Sequence, residues 1–169
     1  TDPFIGLGVM PASTALFRDM TSIRFDHPDW IAENCTACGK CYTVCPDTAI
    51  PGLVSEVGAV LDTVVKRARK HGGELKHLPK AVRVVERHLR LLFDAAEATD
   101  PVADLLEEAI DKTLAASALE GEEREALGRE MEIFRQELDG FKFALSRPYF
   151  TVPEQNEAGS GGLLSITVN

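Results

Sequence analysis

The four cysteines of this 169-residue chain all fall within one short stretch, Cys35-Thr-Ala-Cys38-Gly-Lys-Cys41-Tyr-Thr-Val-Cys45-Pro46. The spacing is C-x2-C-x2-C-x3-C-P. Two-residue gaps let a tight loop wrap one corner of a cubane, so that three thiolates reach three different irons. Gly39 removes a side chain where the backbone must pass close to inorganic sulfide. Successive backbone N–H groups in such a loop can point at the cluster and stabilise its negative charge. The run is that of bacterial [4Fe–4S] proteins, in which the fourth cysteine serves the other cluster when two are present. Cys35, Cys38, Cys41 and Cys45 are therefore the candidate metal ligands. Zinc is the chemical rival, but zinc sites typically use two separated pairs. Four buried thiols or a disulfide framework fit less well, because a chain of this size needs no staples and carries no secretion signal.

The loop needs walls. Ile23, Phe25, Trp30, Ile31, Tyr42, Val44 and Ile50 flank it and are candidates to exclude water, which with hydrogen bonds to sulfur sets a cluster's potential. Tyr42 is either a cluster contact or a core aromatic. Lys40 would raise the potential if it lay close, and otherwise is a surface lysine. His27, His71, His77 and His88 are scattered and suggest no pairing with the cysteines.

Composition limits the rest. The chain is 44% hydrophobic and 27% charged with net charge −9, enough apolar residues for a core and too few charges for global disorder. Its pI of about 4.9 argues against broad binding to nucleic acid or anionic membranes. No apolar run reaches the roughly 20 residues of a membrane span. The N-terminus lacks a signal-type segment, so a cytoplasmic setting is expected. The charge is segregated: Lys66 to Arg90 holds nine Lys/Arg against two acids, and Asp100 to Gly140 thirteen acids against four bases. These tracts either attract each other when folded back or are simply solvated helix faces.

Periodicity divides the chain at 1–52, 53–146 and 147–169. The first part is irregular, with a short helix expected from Pro11 to Phe17 and a short strand over Ser22–Asp26. The middle part predicts about four helices. Leu53, Val57, Val60, Leu61, Val64 and Ala68 form one face, which Gly72-Gly73 ends. Leu78, Val82, Val85, Leu89 and Leu92 form the next. Asp100 caps a third with Pro101 at its first position, carrying Val102, Leu105, Leu106, Ala109, Ile110 and Leu114. After Gly121 comes a 4-3-4-3-4 seam of Leu127, Met131, Phe134, Leu138, Phe141 and Leu145, short enough for an intramolecular bundle. In the last part Gly159-Ser-Gly-Gly162 reads as flexible and Leu163 to Val168 as a strand. Ser22-Ile-Arg-Phe-Asp26 and Ser165-Ile-Thr-Val-Asn169 share one pattern, and the first copy leads directly into the cysteines.

With these residues in view, the chain resembles the ferredoxin-like region of 2-oxoacid (pyruvate-type):ferredoxin oxidoreductases. The likeness rests on Asp2-Pro3-Phe4 to Val54, with Arg18-Asp19-Met20-Thr21, the cysteine motif and Cys45-Pro46-Asp47-Thr48-Ala49-Ile50-Pro51-Gly52, and on Leu163-Leu-Ser-Ile-Thr-Val-Asn169. It implies an α+β fold: half of a two-cluster ferredoxin-like domain over 1–52, a helical insertion over 53–146, and a return linker and strand over 147–169. Cys35, Cys38 and Cys41 would hold one [4Fe–4S] cluster and Cys45 the second, whose own cysteines are expected after Asn169. Such enzymes use thiamine diphosphate, Mg and coenzyme A, elsewhere in the complete molecule, to turn a 2-oxoacid into acyl-CoA and CO2. The implied partners are the remaining segments or subunits, further copies in a homo-oligomer, and ferredoxin or a similar carrier, with neither nucleic acid nor membrane. No catalytic acid, base or thiamine-binding signature is visible, so the stretch is expected to carry electrons only. The alternative is a helical adaptor or regulatory subunit with a structural metal site.

Overall fold

The computed structural model describes Gly8, Asp26 and residues 28–97 and 100–168. The helix expected at Pro11–Phe17, the strand expected at Ser22–Asp26 apart from Asp26 itself, Arg18 to Thr21, His27 and Asn169 lie outside the described residues. A 3-10 turn at Ala32–Asn34 leads to α1 (Lys40–Thr43), β1 (Gly52–Glu56), α2 (Val57–Gly72), α3 (Leu78–Ala95), α4 (Val102–Ala115) and α5 (Gly121–Leu138). A π turn at Arg147–Thr151 runs into α6 (Val152–Asn156), and β2 (Gly162–Ile166) closes the order. Among the described residues this is a mixed, helix-rich α+β fold. No helix among them is long and apolar enough to cross a membrane.

Helices α2 to α5 form because their apolar residues recur every three or four positions and meet in one core. Val57, Leu61, Val64 and Ala68 of α2 are buried against Leu78, Val82, Val85 and Leu89 of α3, Leu106 and Ile110 of α4, and Leu127, Met131 and Phe134 of α5. α3 packs on α4, and α2 packs on both α3 and α5. Gly73, at φ 76°, ends α2 in a conformation that costs glycine nothing.

Five local readings are corrected. Leu53 does not begin the first helix: residues 52–56 are strand β1, Leu53 is 65% exposed, and the helix starts at Val57. A strand of alternating residues and a helix edge share the Leu53–Val57 spacing, and pairing to β2 decides for the strand. Pro101, not Asp100, sits at the N-cap of α4; Asp100 accepts the Glu97 N–H at 2.8 Å instead. The last seam stops at Leu138, because the chain turns through Gly140 at φ 84°, and leaves Phe141 38% exposed. Leu145 still reaches the helical core, from an extended segment. The strand near the C-terminus ends at Ile166 rather than Val168. Finally, the Gly159–Gly162 stretch is pinned. The Glu154 carboxylate accepts from Gly159 N–H at 2.7 Å and Gly161 N–H at 2.8 Å. A Cβ on Gly161 would lie 2.8 Å from the Phe150 ring, and one on Gly162 would lie 2.5 Å from Val54 Cγ1.

β1 and β2 pair antiparallel in the register Gly52↔Ile166, Val54↔Leu164, Glu56↔Gly162. On its other side Leu164 bridges to Ala144, with N–H···O distances of 2.8 and 3.2 Å. Alternation along β2 divides its side chains. Leu163 enters the helical core, while Leu164 and Ile166 join Ala32 and Ala144 in a second, small cluster on the cysteine side.

The charge tracts meet at a few places only. Glu137 of α5 pairs with Arg67 Nε at 3.0 Å and with the His71 ring, and Arg67 also lies over the Phe141 ring. The buried Glu130 carboxylate of α5 accepts three backbone N–H groups at the start of α3: Lys76 at 2.9 Å, His77 at 2.9 Å and Leu78 at 2.6 Å. Elsewhere acids and bases pair nearby, as in Arg135 with Glu107 and Asp111, or face water.

Candidate iron–sulfur site

Cys35 follows the 3-10 turn, its N–H bonded to Ala32 O at 3.0 Å. The chain then passes through Ala37 at φ 56° and Gly39 at φ 72°. Two left-handed residues in so short a run curl the backbone, and successive N–H groups in such a curl can face one anion. Gly39 caps α1, whose four residues carry Cys41. Cys45 comes after α1, and its Sγ accepts the Ala49 N–H at 3.3 Å. Cys35, Cys41 and Cys45 are half-buried and Cys38 is exposed.

Gly39 has a second reason to be glycine. A Cβ there would stand 2.7 Å from the Tyr42 hydroxyl oxygen, and one on Gly52 would stand 3.0 Å from the same ring. Tyr42 thus lies against the backbone of the cysteine loop on one side and of β1 on the other. The Tyr149 side chain is the main cause holding the Tyr42 pKa above its ordinary value.

The walls differ from those expected. Trp30, Ile50 and Tyr149 pack with Cys35, Ala37 and Cys41 against Ala32, Ala144, Leu164 and Ile166. Ile31 and Val44, expected to shield the loop, are 56% and 73% exposed. Lys40 is exposed, and it acts on Cys38 chiefly through its backbone N–H and to a smaller extent through its charge. The Lys40 N–H, followed by the Thr36 hydroxyl, holds the Cys38 thiol below the ordinary thiol range, which favours the thiolate needed for metal binding. His71, His77 and His88 all sit in the helical part; His88 Nδ1 meets Thr113 Oγ1 at 3.0 Å. Tyr149 was not foreseen. It stands far from the cysteines in sequence, and nothing in its own neighbours announces the contact.

The donor set, four thiols on a curled loop with backbone N–H groups at Cys38 and Cys45, fits an iron–sulfur cluster. The fit is one of donor chemistry: among the described residues, no three His, Cys, Asp or Glu side chains, the four cysteines included, are grouped so as to hold a metal ion. Residues 28–50, which contain all four cysteines, match the 4Fe-4S binding domain family. That match covers one short part of the chain and identifies an iron–sulfur segment suited to electron transfer. No curated protein matches the chain, and no solved structure matches it.

Proposed function

We propose that this chain carries electrons as part of a thiamine-diphosphate-dependent 2-oxoacid:ferredoxin oxidoreductase. The observation that carries the electron-transfer part is the match of residues 28–50 to a 4Fe-4S binding domain, coincident with C-x2-C-x2-C-x3-C-P. The enzyme family rests on the flanking sequence, from Asp2-Pro3-Phe4 onward and through Cys45-Pro46 to Gly52. The β1–β2 pairing supports the same reading. It joins the strand after the cysteine loop to the strand whose sequence resembles the lead into a second cysteine motif.

In this reading Cys35, Cys38 and Cys41 hold one cluster and Cys45 reaches a second. A bound [4Fe–4S] cluster supplies reversible one-electron transfer. The chain's own residues position the thiols, present N–H groups to Cys38 and Cys45, and pack Trp30, Ile50 and Leu164 in one cluster with Cys35 and Cys41. Thiamine diphosphate, Mg and coenzyme A belong to other parts of the enzyme, and ferredoxin or a similar carrier takes the electrons. The setting is cytoplasmic.

Anaerobic reconstitution of the chain with iron and sulfide tests the proposal. The expected product is brown, with broad visible absorption that dithionite bleaches. A colourless protein that takes up zinc instead would refute it.

A further inference from the structure

The basic tract of the sequence is only partly neutralised in the fold. Arg67, Arg83 and Arg90 meet carboxylates, whereas the side chains of Lys76, His77 and Lys80 have no ion pair or hydrogen bond among the described residues. These three residues line one wall of a cavity of about 530 Å³, enclosed by the start of α3, the end of α4 and the turn that leads to α5. The remaining lining is mainly apolar and includes Val84, Leu119 and Leu127. Thr113 also borders it, but its hydroxyl is engaged with Ala109 O at 2.7 Å and His88 Nδ1 at 3.0 Å. Among the described residues no carboxylate lines the cavity, in a chain whose net charge is −9.

The backbone at the start of α3 narrows the kind of anion that fits. Glu130 already accepts the N–H groups of Lys76, His77 and Leu78. Pro79 has no N–H, and those of Lys80 and Ala81 go to His77 O at 3.2 and 3.1 Å. Phosphate bound at a helix start relies on free backbone donors, and none is left here. Two flexible ammonium groups beside an imidazole instead suit a single carboxylate. We propose that this cavity binds a small carboxylic acid with an unbranched apolar tail, of the size of octanoate. The carboxylate sits at Lys76, His77 and Lys80, and the tail lies against Val84, Leu119 and Leu127. The volume falls in the range of ligand sites, roughly 300–1,000 Å³, which are mostly apolar with a few polar groups that fix orientation. The site lies among the helices and is independent of the cysteine loop.

Calorimetric titration of the full, metal-free chain with octanoate tests the proposal. One octanoate should bind per chain with a Kd of about 0.1–1 mM, within reach of a ligand this small. Hexanoate should bind roughly fifteenfold more weakly, about fourfold for each methylene lost. Lys76→Gln and Lys80→Gln, both at exposed positions where replacement leaves the fold in place, should each weaken octanoate about threefold and leave the affinity for uncharged octanol unmoved. Ala118→Trp, at an exposed position on the cavity wall, should abolish binding by filling the space. Absence of saturable octanoate binding, equal affinity for octanoate and octanol or for octanoate and hexanoate, unchanged affinity in both lysine variants, or undiminished binding to Ala118→Trp would each overturn the proposal.

Discussion

Glu130 stands in an acidic tract that charge alone would assign to solvent, yet its side chain holds together the start of a helix. Its two oxygens accept from Lys76, His77 and Leu78 at 2.9, 2.9 and 2.6 Å, which satisfies the donors of the N-cap and first residue of α3 and of Lys76 just ahead of them. The negative charge also sits at the positive end of that helix. Glu130→Ala removes all three bonds. The N–H of Lys76, an exposed residue, regains water and costs little. Leu78 is fully buried, and its unpaired N–H costs about 1–3 kcal/mol, with the half-buried His77 adding part of the same. The lost cap interaction with the dipole adds about 0.5–1 kcal/mol. The expected loss is about 3 kcal/mol, against total stabilities of roughly 5–15 kcal/mol. Glu130→Gln keeps one acceptor oxygen, which can serve the Leu78 N–H, and should cost about 1–2 kcal/mol. Urea unfolding followed by circular dichroism measures both, with the slope unchanged if the denatured state is unaffected. A Glu130→Ala loss under about 0.5 kcal/mol, the range of ordinary surface substitutions, would refute the assignment of this carboxylate as a buried cap.

Four further outcomes are expected. Gly161→Ala should destabilise by about 1–3 kcal/mol in the same assay, because the added methyl meets the Phe150 ring and the Glu154 carboxylate, and neither the ring nor the pinned turn yields freely. His71, against the opposing effect of burial and aided by Arg67, holds the Glu137 carboxyl below its ordinary value. The folded pKa is thus lower than the unfolded one, near roughly 4.3. The resulting stability is present above the unfolded value and is lost as pH falls through the folded one. Glu137→Gln should flatten the acid limb of a stability-against-pH curve in that window, and an unchanged limb would count against the pair. Reconstituted chain should lose iron readily to a chelator, because the division of the four cysteines between two clusters proposed above would leave one iron of the first without its thiolate; chelator-resistant iron at four per chain would contradict that division. On the proposed function, Cys38→Ala in the complete oxidoreductase should abolish ferredoxin reduction while leaving decarboxylation measurable with an artificial acceptor, and normal ferredoxin reduction would reject the ligand assignment.

What could be read in the sequence follows from the range of the forces involved. The cysteine motif is legible because its chemistry is written in consecutive residues. The helix faces of Leu61, Val82, Ile110 and Met131 are legible because burial at helical spacing is a local pattern with one global solution. β1 was not, since Leu53 and Val57 fit a helix as well as a strand, and the partner that decides, Ser165, is distant in the chain. Glycine at 159–162 suggests freedom, and only the placement of Phe150, Val54 and Glu154 turns it into close packing. Glu130 belongs to the same class, because its role lies entirely in long-range partners.

The place of the helices along the chain has its own logic. Glu56 and Gly162 are cross-strand partners, so residues 57–161 leave and re-enter the sheet at adjacent points. A flexible loop of that length would add only a slowly growing closure cost, but it would do nothing to hold the strands in register. These residues instead start α2 directly after β1 and bury Leu163 of β2 in the same core as Val57. Both strands are therefore tied to one packed body at the points where they meet. Register follows from that: a one-residue slip would move Leu163 out of the helical core and Leu164 away from Ala32 and Ala144. Because Cys35 and Cys41 lean on Leu164 and Ile166, the thiols inherit their wall from the core of the helices. Shortening those helices should then disturb the cysteine loop even though no helical residue from 57 to 138 supplies a ligand.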